Sequence, residues 1–433
     1  MSACVLVFGD LGHSPRMQNH ALSMASCDEV DRVYFVGYQG SDLPLAIQQN
    51  DKIEVRYIST SLIDKLKKLP RIFYLVYFLL RIIIQLLQSF WVLFTLPNIR
   101  FWIYQNPPCI PGLWCLAVVR LFRRRSRIIL DWHNYGYSIL RVNGVNRLIV
   151  KVAKIYEKLC GRWADYNLCV SNNFKDDLQE DMGIIRPIHV LYDKATPKYG
   201  RLDISERHEL FTKLWQDDNK FTVESLDGIQ EKPQRDLILF SSTSYTPDED
   251  FNLVVQALIS LNEKIINEKG EDYDGPGIHL VVTGKGPLKE QFEVEFEECN
   301  KNLKHVQIET MWLEIEDYPK LVGSADLGVC LHYSSSGVDL PMKVVDMFSA
   351  QLGCLAINYQ SISELVKDDE NGQIFIDKDQ LCEQIYSILN EFKDGKSPTL
   401  EKWREDLKNG FCTERWEDHW NRFVYTGIIQ QEL

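Results

Sequence analysis

The stretch ACVLVFGDLGHSPRMQNHALSMAS, residues 3–26, decides the architecture. Cys4–Phe8 is an unbroken apolar run, the mark of a strand buried on both faces of a parallel sheet. Gly9-Asp10-Leu11-Gly12-His13 follows as a tight turn. Ser14 then reads as an N-cap with Pro15 at the first helical position, opening a helix over Ser14–Ser26. Strand, glycine-bearing turn and helix in that order begin a doubly wound α/β unit.

The same alternation continues along the chain. Val33–Val36, Ile53–Tyr57, Phe101–Tyr104, Ile128–Leu130 and Tyr166–Val170 read as strands, with helices expected over Pro111–Phe122 and Gly144–Trp163. Residues 195–235 turn polar and irregular, and the pattern then restarts. Strands are expected at Leu237–Phe240, Ile278–Val282, Gln307–Thr310, Leu327–Cys330 and Cys354–Ile357, with helices at Asp250–Glu263, Glu316–Gly323 and Met342–Ala350. The fold class is therefore α/β, two Rossmann-like doubly wound domains facing a cleft. Their expected limits are 1–195 for the first domain, 196–235 for a linker and 236–410 for the second domain. Residues 411–433 are expected as a final helix packing back on the body. Its stripe of Trp416, Trp420 and Phe423 reads as core.

The 433 residues are 45% hydrophobic and 25% charged, which excludes a disordered, collagenous or coiled-coil chain. Eleven cysteines without a CxxC pair suit a reducing compartment better than a disulfide framework. The net charge of −13 is unevenly spread: residues 51–150 hold 15 Lys+Arg and only 4 Asp+Glu. Such a basic region faces an anionic surface. Its company argues for membrane rather than nucleic acid. Ile72–Leu96, IFYLVYFLLRIIIQLLQSFWVLFTL, is long enough to span a bilayer, but Arg81 near its middle makes spanning costly. Lys65, Lys67, Lys68 and Arg71 precede it, and Arg120, Arg123, Arg124, Arg125 and Arg127 follow. The segment reads either as an element in the cytoplasmic interface or as one or two buried core helices. No signal peptide is expected, because Ser2–Phe8 already reads as a strand without a charged leader.

Polar groups gather after the strands, where doubly wound sheets bind ligands. Asp10 and His13 share the first turn, and His13 suits a general base near neutral pH or equally a structural hydrogen-bonder. Asp131, His133 and Asn134 follow the strand Ile128–Leu130, and Asn106 follows the strand before it. Gly12, Asn106 and Asn134 stand with them on the same face of the first sheet as His13. In the second half, Gly284-Lys285-Gly286 combines close backbone approach with a point charge for phosphate. Ser334-Ser335-Ser336-Gly337 leads through Pro341 into a helix carrying Lys343 and Asp346. That arrangement reads as an anion site for a nucleotide diphosphate, with Asp346 on the ribose, or as a flexible loop. Ser241–Asp250 offers hydroxyls to phosphate or an elaborate N-cap. Neither the GxGxxG fingerprint nor the Walker spacing is present, which argues against an NAD enzyme and a P-loop protein.

Taken in order, GDLGHSPRMQNHA, QNPP, LDWHNYGYSIL, VLYDKA, STSYTPDED, TGKGPLKE, EDYPKL and SSSGVDLPMKVVDMF resemble the chitobiosyldiphosphodolichol β-mannosyltransferases of the endoplasmic reticulum. The resemblance runs from Gly9 to the tryptophan-rich end. It implies a B-type glycosyltransferase fold and inverting transfer of mannose from GDP-mannose to the 4-hydroxyl of the second GlcNAc on dolichyl diphosphate. A B-type transferase using another nucleotide sugar or lipid acceptor is the alternative.

Carried over by position, Lys285 and Lys343 meet the diphosphate beside Ser335, Ser336 and Gly337. Asp346 stands where related enzymes carry the second glutamate of an E-x7-E pair, although Val338 replaces the first. Trp312 follows a strand end where such folds recognise the base, and Gly12, Asn106 and Asn134 fall on the acceptor side. The expected catalytic base is His13 oriented by Asp10, with His133 or Asp131 as runner-up. No metal site is expected and no cofactor is required, with a divalent cation assisting GDP left open. Attachment to the cytosolic face of the endoplasmic reticulum membrane is expected through Ile72–Leu96 and the basic patch. This chain is expected to lack the hydrophobic anchor that many family members carry before the first strand. Mannosyltransferases of the same pathway are the expected company.

Overall fold

The computed structural model describes residues 1–58, 74–108, 112–246 and 249–433. It separates into two units, Met1–Tyr192 with Trp416–Leu433, and Asp193–Arg415. Lys65, Lys67, Lys68, Arg71, Pro247, Asp248 and the first two residues of the apolar segment lie outside the described residues.

In the first unit, strands β1 (Ser2–Asp10), β2 (Arg32–Tyr38), β3 (Ile53–Tyr57), β4 (Ile99–Asn106), β5 (Arg127–Trp132), β6 (Tyr166–Cys169) and β7 (Ile188–Val190) form one sheet. Its order is β3-β2-β1-β4-β5-β6-β7, and every pairing is parallel. Between β1 and β4 the winding reverses direction. The turns after these two strands therefore meet at the switch point, where open sheets leave a crevice. Helix α1 (Pro15–Ala25) follows β1, α2 (Tyr74–Thr95) precedes β4, and α3 (Gly112–Phe122) follows it. The helix expected over Gly144–Trp163 begins earlier and is broken into α4 (Gly136–Val142) and α5 (Arg147–Gly161), and α6 (Asn172–Glu180) follows β6.

The terminal segment belongs to this unit. Trp416, Trp420, Val424, Ile428 and Ile429 are buried together with Val5, Met17, Met24 and Phe35 of β1, α1 and β2. Burial of this order contributes roughly 1.5–3 kcal/mol per large side chain, so the tail is part of this unit's core.

In the second unit, β10 (Leu237–Thr243), β11 (Ile278–Gly284), β12 (Val306–Met311), β13 (Leu327–Cys330), β14 (Cys354–Ile357) and β15 (Gly372–Phe375) form a parallel sheet of order β12-β11-β10-β13-β14-β15. The region expected as a linker, 196–235, is ordered here: it contains helix α7 (Ile204–Trp215) and the hairpin β8 (Thr222–Ser225)–β9 (Gly228–Glu231). The helix opens on a capping box between Asp203 and Glu206. Its polarity has a structural cause. Asp326 is fully buried just before β13 and accepts two hydrogen bonds from Arg235, at 2.6 and 3.0 Å. Arg207 of α7 lies 3.9 Å from the same carboxylate and also pairs with Glu231 of the hairpin. Buried charges require such partners. The arginines therefore belong to the core of the second unit. The remaining helices are α8 (Phe251–Lys269), α9 (Lys289–Asn302), α10 (Asp317–Ser324), α11 (Met342–Ser349), α12 (Lys378–Glu391) and α13 (Pro398–Asn409).

The described part of the apolar segment is one helix, α2. It docks through Ser89 and Leu93, with Leu96 just past its end, and turns Ile83, Leu87 and Trp91 outward, with Trp91 73% exposed. Among the described residues no helix is long and apolar enough to cross a membrane. Three arginines of the expected basic patch are tied to the protein. Arg123 donates to the Phe94, Leu96 and Pro97 carbonyls at the end of α2, Arg120 pairs with Asp165, and Arg127 pairs with Glu432. Arg124 and Arg125 are exposed.

Candidate functional site

The turn after β1 is organised by Asp10. Its carboxylate accepts the backbone N–H groups of Gly12 at 2.9 Å and Ser41 at 2.9 Å, and it meets His13 Nδ1 at 2.7 Å. Burial alone would raise this carboxyl, but the hydrogen bonds from His13, Ser41 and Gly12 outweigh it and pull its pKa down to about 2. The His13 ring is 74% exposed. Ser41 Oγ also lies 2.7 Å from His13 Nδ1, so that nitrogen has one partner that only accepts and one that can donate. Because the ionised carboxylate can only accept, Nδ1 of His13 carries its proton toward Asp10 and Nε2 is left as the nitrogen that can take one.

Asp131, at the end of β5, anchors a second and more buried group. Arg16 of α1 grips it with two hydrogen bonds at 2.8 and 2.9 Å, and both side chains are at most 4% exposed. Its Oδ2 also meets His20 Nε2 at 3.1 Å and His133 Nε2 at 2.7 Å. Full burial would raise Asp131, but Arg16, His133 and His20 together hold it well below the usual carboxylate range. A carboxylate so placed accepts only, so both histidines donate to it.

The tail explains the rest. Trp420 Nε1 donates to His20 Nδ1 at 3.0 Å. An indole N–H cannot accept, so His20 is neutral with its proton on Nε2. Burial depresses its pKa in agreement. His133 is likewise set with Nε2–H toward Asp131, which makes Nδ1 the nitrogen that can take a proton. Trp416 stands edge-on to His20 at 5.1 Å between centroids and lies beneath the Arg16 guanidinium at 5.1 Å. The tryptophan stripe is thus core on one side and the wall of this site on the other.

Asn106 and Asn134, expected beside the acceptor, are turned to structural work. Asn106 is fully buried; it donates to the Asn134 carbonyl at 3.2 Å and to Glu157 at 3.2 Å, while its own carbonyl receives the His133 N–H at 2.8 Å. Asn134 Oδ1 accepts from Tyr135 N and Ser138 Oγ at the start of α4. Direct contact with a ligand is closed to the Asn106 side chain. Its effect on the site runs through the backbone of His133.

In the second unit the loops after β10, β11 and β13 crowd together at the other switch point. Gly284 has φ +134° and Gly286 lies against the Ser244 carbonyl; a Cβ on either would sit within 1.9 Å of backbone oxygen. The two glycines let this loop press onto its neighbour and carry Lys285 between them. Lys285 Nζ lies 4.8 Å from the Trp312 ring centroid, so two residues singled out separately form one cation–π pair with both side chains open to solvent.

Lys343 of α11 pairs with Glu249, whose carboxylate is 3% exposed and also accepts Thr243 Oγ1 at 2.6 Å and Ser244 N at 2.7 Å. Glu249 was not separated from the hydroxyl-rich run around it by sequence alone; only the pairing across 94 residues reveals it. The serine loop winds around Asp339. Ser334 Oγ donates to that carboxylate, Ser336 Oγ lies 3.3 Å from it, and the Gly337 N–H returns to Ser334 Oγ at 2.8 Å. Val338 is buried beneath the loop. Helix α11 then begins at Met342 with no side-chain cap, so its N-terminal dipole is not spent on a capping group. Asp346, one turn on, has its carboxyl pushed up to about 7 by burial, against the lowering effect of Tyr199 and Lys198. Among the described residues no three His, Cys, Asp or Glu side chains are grouped to hold a metal ion.

Comparison with known proteins places these residues in context. The family described as glycosyl transferases group 1 matches residues 223–408. A protein named UDP-glycosyltransferase TURAN from Arabidopsis thaliana is 35% identical, with 99% of this chain and 98% of that protein aligned. The chitobiosyldiphosphodolichol β-mannosyltransferase of Mus musculus is 36% identical over 99% of this chain and 89% of its own length. That of Dictyostelium discoideum is 34% identical over 96% and 91%. Among solved structures, Anabaena HepE in complex with UDP and glucose superposes with a TM-score of 0.65 at 13% identity, covering 98% of this chain and 99% of that one. Sucrose-phosphate synthase from Thermosynechococcus elongatus gives 0.62 at 12%, covering 99% of both. At such identities the structures speak for the fold alone, two Rossmann-like α/β domains of the B-type glycosyltransferase class.

Proposed function

This chain belongs to the chitobiosyldiphosphodolichol β-mannosyltransferase family, and from that premise we propose that it moves mannose from GDP-mannose to the 4-hydroxyl of the second GlcNAc of dolichyl diphosphate chitobiose, with inversion. It is a hexosyltransferase of the dolichol-linked pathway of N-glycosylation. The observation that carries this reading is identity of 34–36% running through nearly the whole of several relatives of that name.

The second unit holds the donor. Lys285 over Trp312 supplies a cation for the diphosphate and an aromatic face for the base, and the open N-terminus of α11 adds a dipole. Lys343, neutralised by Glu249, exchanges that partner for phosphate. Asp346 receives ribose or sugar hydroxyls. An inverting displacement needs no acid for a diphosphate leaving group, so the second unit's task is to stabilise departing charge.

The first unit holds the acceptor and takes its proton. Of the two histidines, His133 is favoured as the base. Its tautomer is fixed by Asp131 and presents Nδ1, and the imidazolium formed on proton transfer faces a carboxylate that Arg16 and His20 keep ionised. Asp131 itself is too deeply buried to touch a sugar. His13, held by Asp10, is the second reading and is favoured by its exposure. Residence on the cytosolic face of the endoplasmic reticulum membrane, through the apolar helix α2 and basic residues near it, follows from an acceptor whose lipid tail stays in the bilayer.

The Arabidopsis relative's name, a UDP-glycosyltransferase, favours UDP-linked sugar as a second reading of the donor. Displacement of a labelled nucleotide distinguishes them. Release by GDP well below the concentration at which UDP acts supports the proposal; the reverse order supports the alternative.

A further inference from the structure

Helix α5 is built inside out. The residues it turns toward the sheet are Ala153, Glu157 and Gly161, all buried, while Leu148 (68% exposed), Val152 (58%), Ile155 and Leu159 face solvent. Those four recur at i, i+4, i+7 and i+11, one unbroken stripe along the helix. A helix packed only on its own core buries that stripe and exposes its carboxylate. Here Glu157 is the buried anchor, accepting the Gly136 and Tyr137 N–H groups at 2.8 and 3.1 Å and Asn106 at 3.2 Å.

The stripe is flanked on one side by Arg147, Lys151, Lys154 and Lys158, and the one acid of α5 is Glu157, which is buried. Lys154 pairs with Asp181 at 2.5 Å, and Lys158 donates to the Asp181 carbonyl. Arg147 and Lys151 are both exposed beside the crest. The apolar surface continues onto α3, which packs beside α5 and exposes Trp114, Leu121 and Phe122. Phe122 and Trp114 in turn meet Phe94 and Phe90 of α2 edge-on, at 5.7 and 5.6 Å. Helices α2, α3 and α5 thus present one outward apolar layer with bases beside it.

We infer that α5 is a lipid-contacting element: its leucine–valine–isoleucine crest enters the headgroup–acyl boundary of a bilayer, with Arg147 and Lys151 on anionic headgroups. The inference rests on the membrane-bound reading above and extends it from α2 to a separate helix. A bilayer is the occupant because the apolar crest has cations along its flank and α5 itself carries no exposed acid, the composition of an interfacial helix.

The test is flotation of the full chain with phosphatidylcholine vesicles containing about 30% phosphatidylinositol, comparing wild type with Val152→Glu/Ile155→Glu and with Arg147→Glu/Lys151→Glu. Both pairs lie on the solvent face, and thermal unfolding together with GDP binding checks that they fold. The expected result is a fall of about tenfold or more in bound protein for the first pair and a loss confined to anionic vesicles for the second. If wild type and both variants float alike, α5 does not touch lipid, while attachment through α2 stands. If even wild type stays in solution, the membrane reading fails and takes this inference with it. A change from dimer to monomer in Val152→Glu/Ile155→Glu without vesicles assigns the crest to a second copy and also overturns it.

Discussion

Trp420, thirteen residues before the end of the sequence, donates its indole N–H to Nδ1 of His20, and through that bond the tail fixes the protonation of a site built by the first strands. His20 can then only donate to Asp131, and Asp131 can only accept from His133. Removing the first donor loosens the whole series. Trp420→Phe keeps the buried ring and is expected to lower kcat about tenfold with KM for GDP-mannose unchanged, because the loss is one of orientation. Histidine nitrogen NMR reads the cause: His20 Nδ1 is expected unprotonated in wild type and no longer uniformly so in the variant.

The two histidines separate by mutation. His133→Gln is expected to lower kcat by about 10²–10⁴, the range for loss of a general base, while His13→Gln costs less than about tenfold. Steady-state rates with saturating acceptor decide between them; the opposite ranking moves the base to the Asp10–His13 pair.

Lys285→Ala removes one charged contact to a diphosphate, a loss of about 1.5–3 kcal/mol, or about 10–100-fold in GDP affinity. Titration calorimetry with GDP measures it. An unchanged affinity removes Lys285 from the donor site.

Asp346 gives the second unit a pH signature. Its carboxyl is raised from an ordinary 3.8 to about 7, so the fold favours the neutral acid. That contribution is complete below about pH 4 and is lost as pH rises through 7. Without ligand, wild type is expected to lose on the order of 1–2 kcal/mol between these limits relative to Asp346→Asn. Denaturant titrations of both proteins at several pH values supply the comparison.

Asp326→Asn leaves Arg235 and Arg207 facing a neutral group in the core of the second unit. Breaking one side of such a buried cluster is expected to cost about 3–5 kcal/mol. Urea unfolding measures it, and a loss below about 1 kcal/mol contradicts the anchoring role given to residues 196–235.

What could be read in advance followed from local physics. Apolar runs marked the strands, and glycine, serine and proline marked the turns that bring Asp10, Lys285 and the serine loop to strand ends. What could not be read depends on residues far apart in sequence. Arg16 and His20 sit one turn apart on α1 and gain meaning only when Asp131 and Trp420 arrive. Residues 196–235 were polar enough to pass for a linker because their arginines answer a carboxylate, Asp326, that lies far along the chain. Asn106 and Asn134 stood at strand ends, yet neighbouring groups there already hold their side chains: the Asn134 carbonyl and Glu157 for Asn106, and Tyr135 N and Ser138 Oγ for Asn134.

The measurement that bears most directly on the central claim is transfer of radiolabelled mannose from GDP-mannose to lipid diphosphate-linked chitobiose by the purified full chain, run beside His133→Gln. Formation of a β-linked trisaccharide by wild type, reduced by about 10²-fold or more in the variant, is the predicted result. No product from GDP-mannose, with product formed from a UDP-linked sugar under the same conditions, would contradict the account.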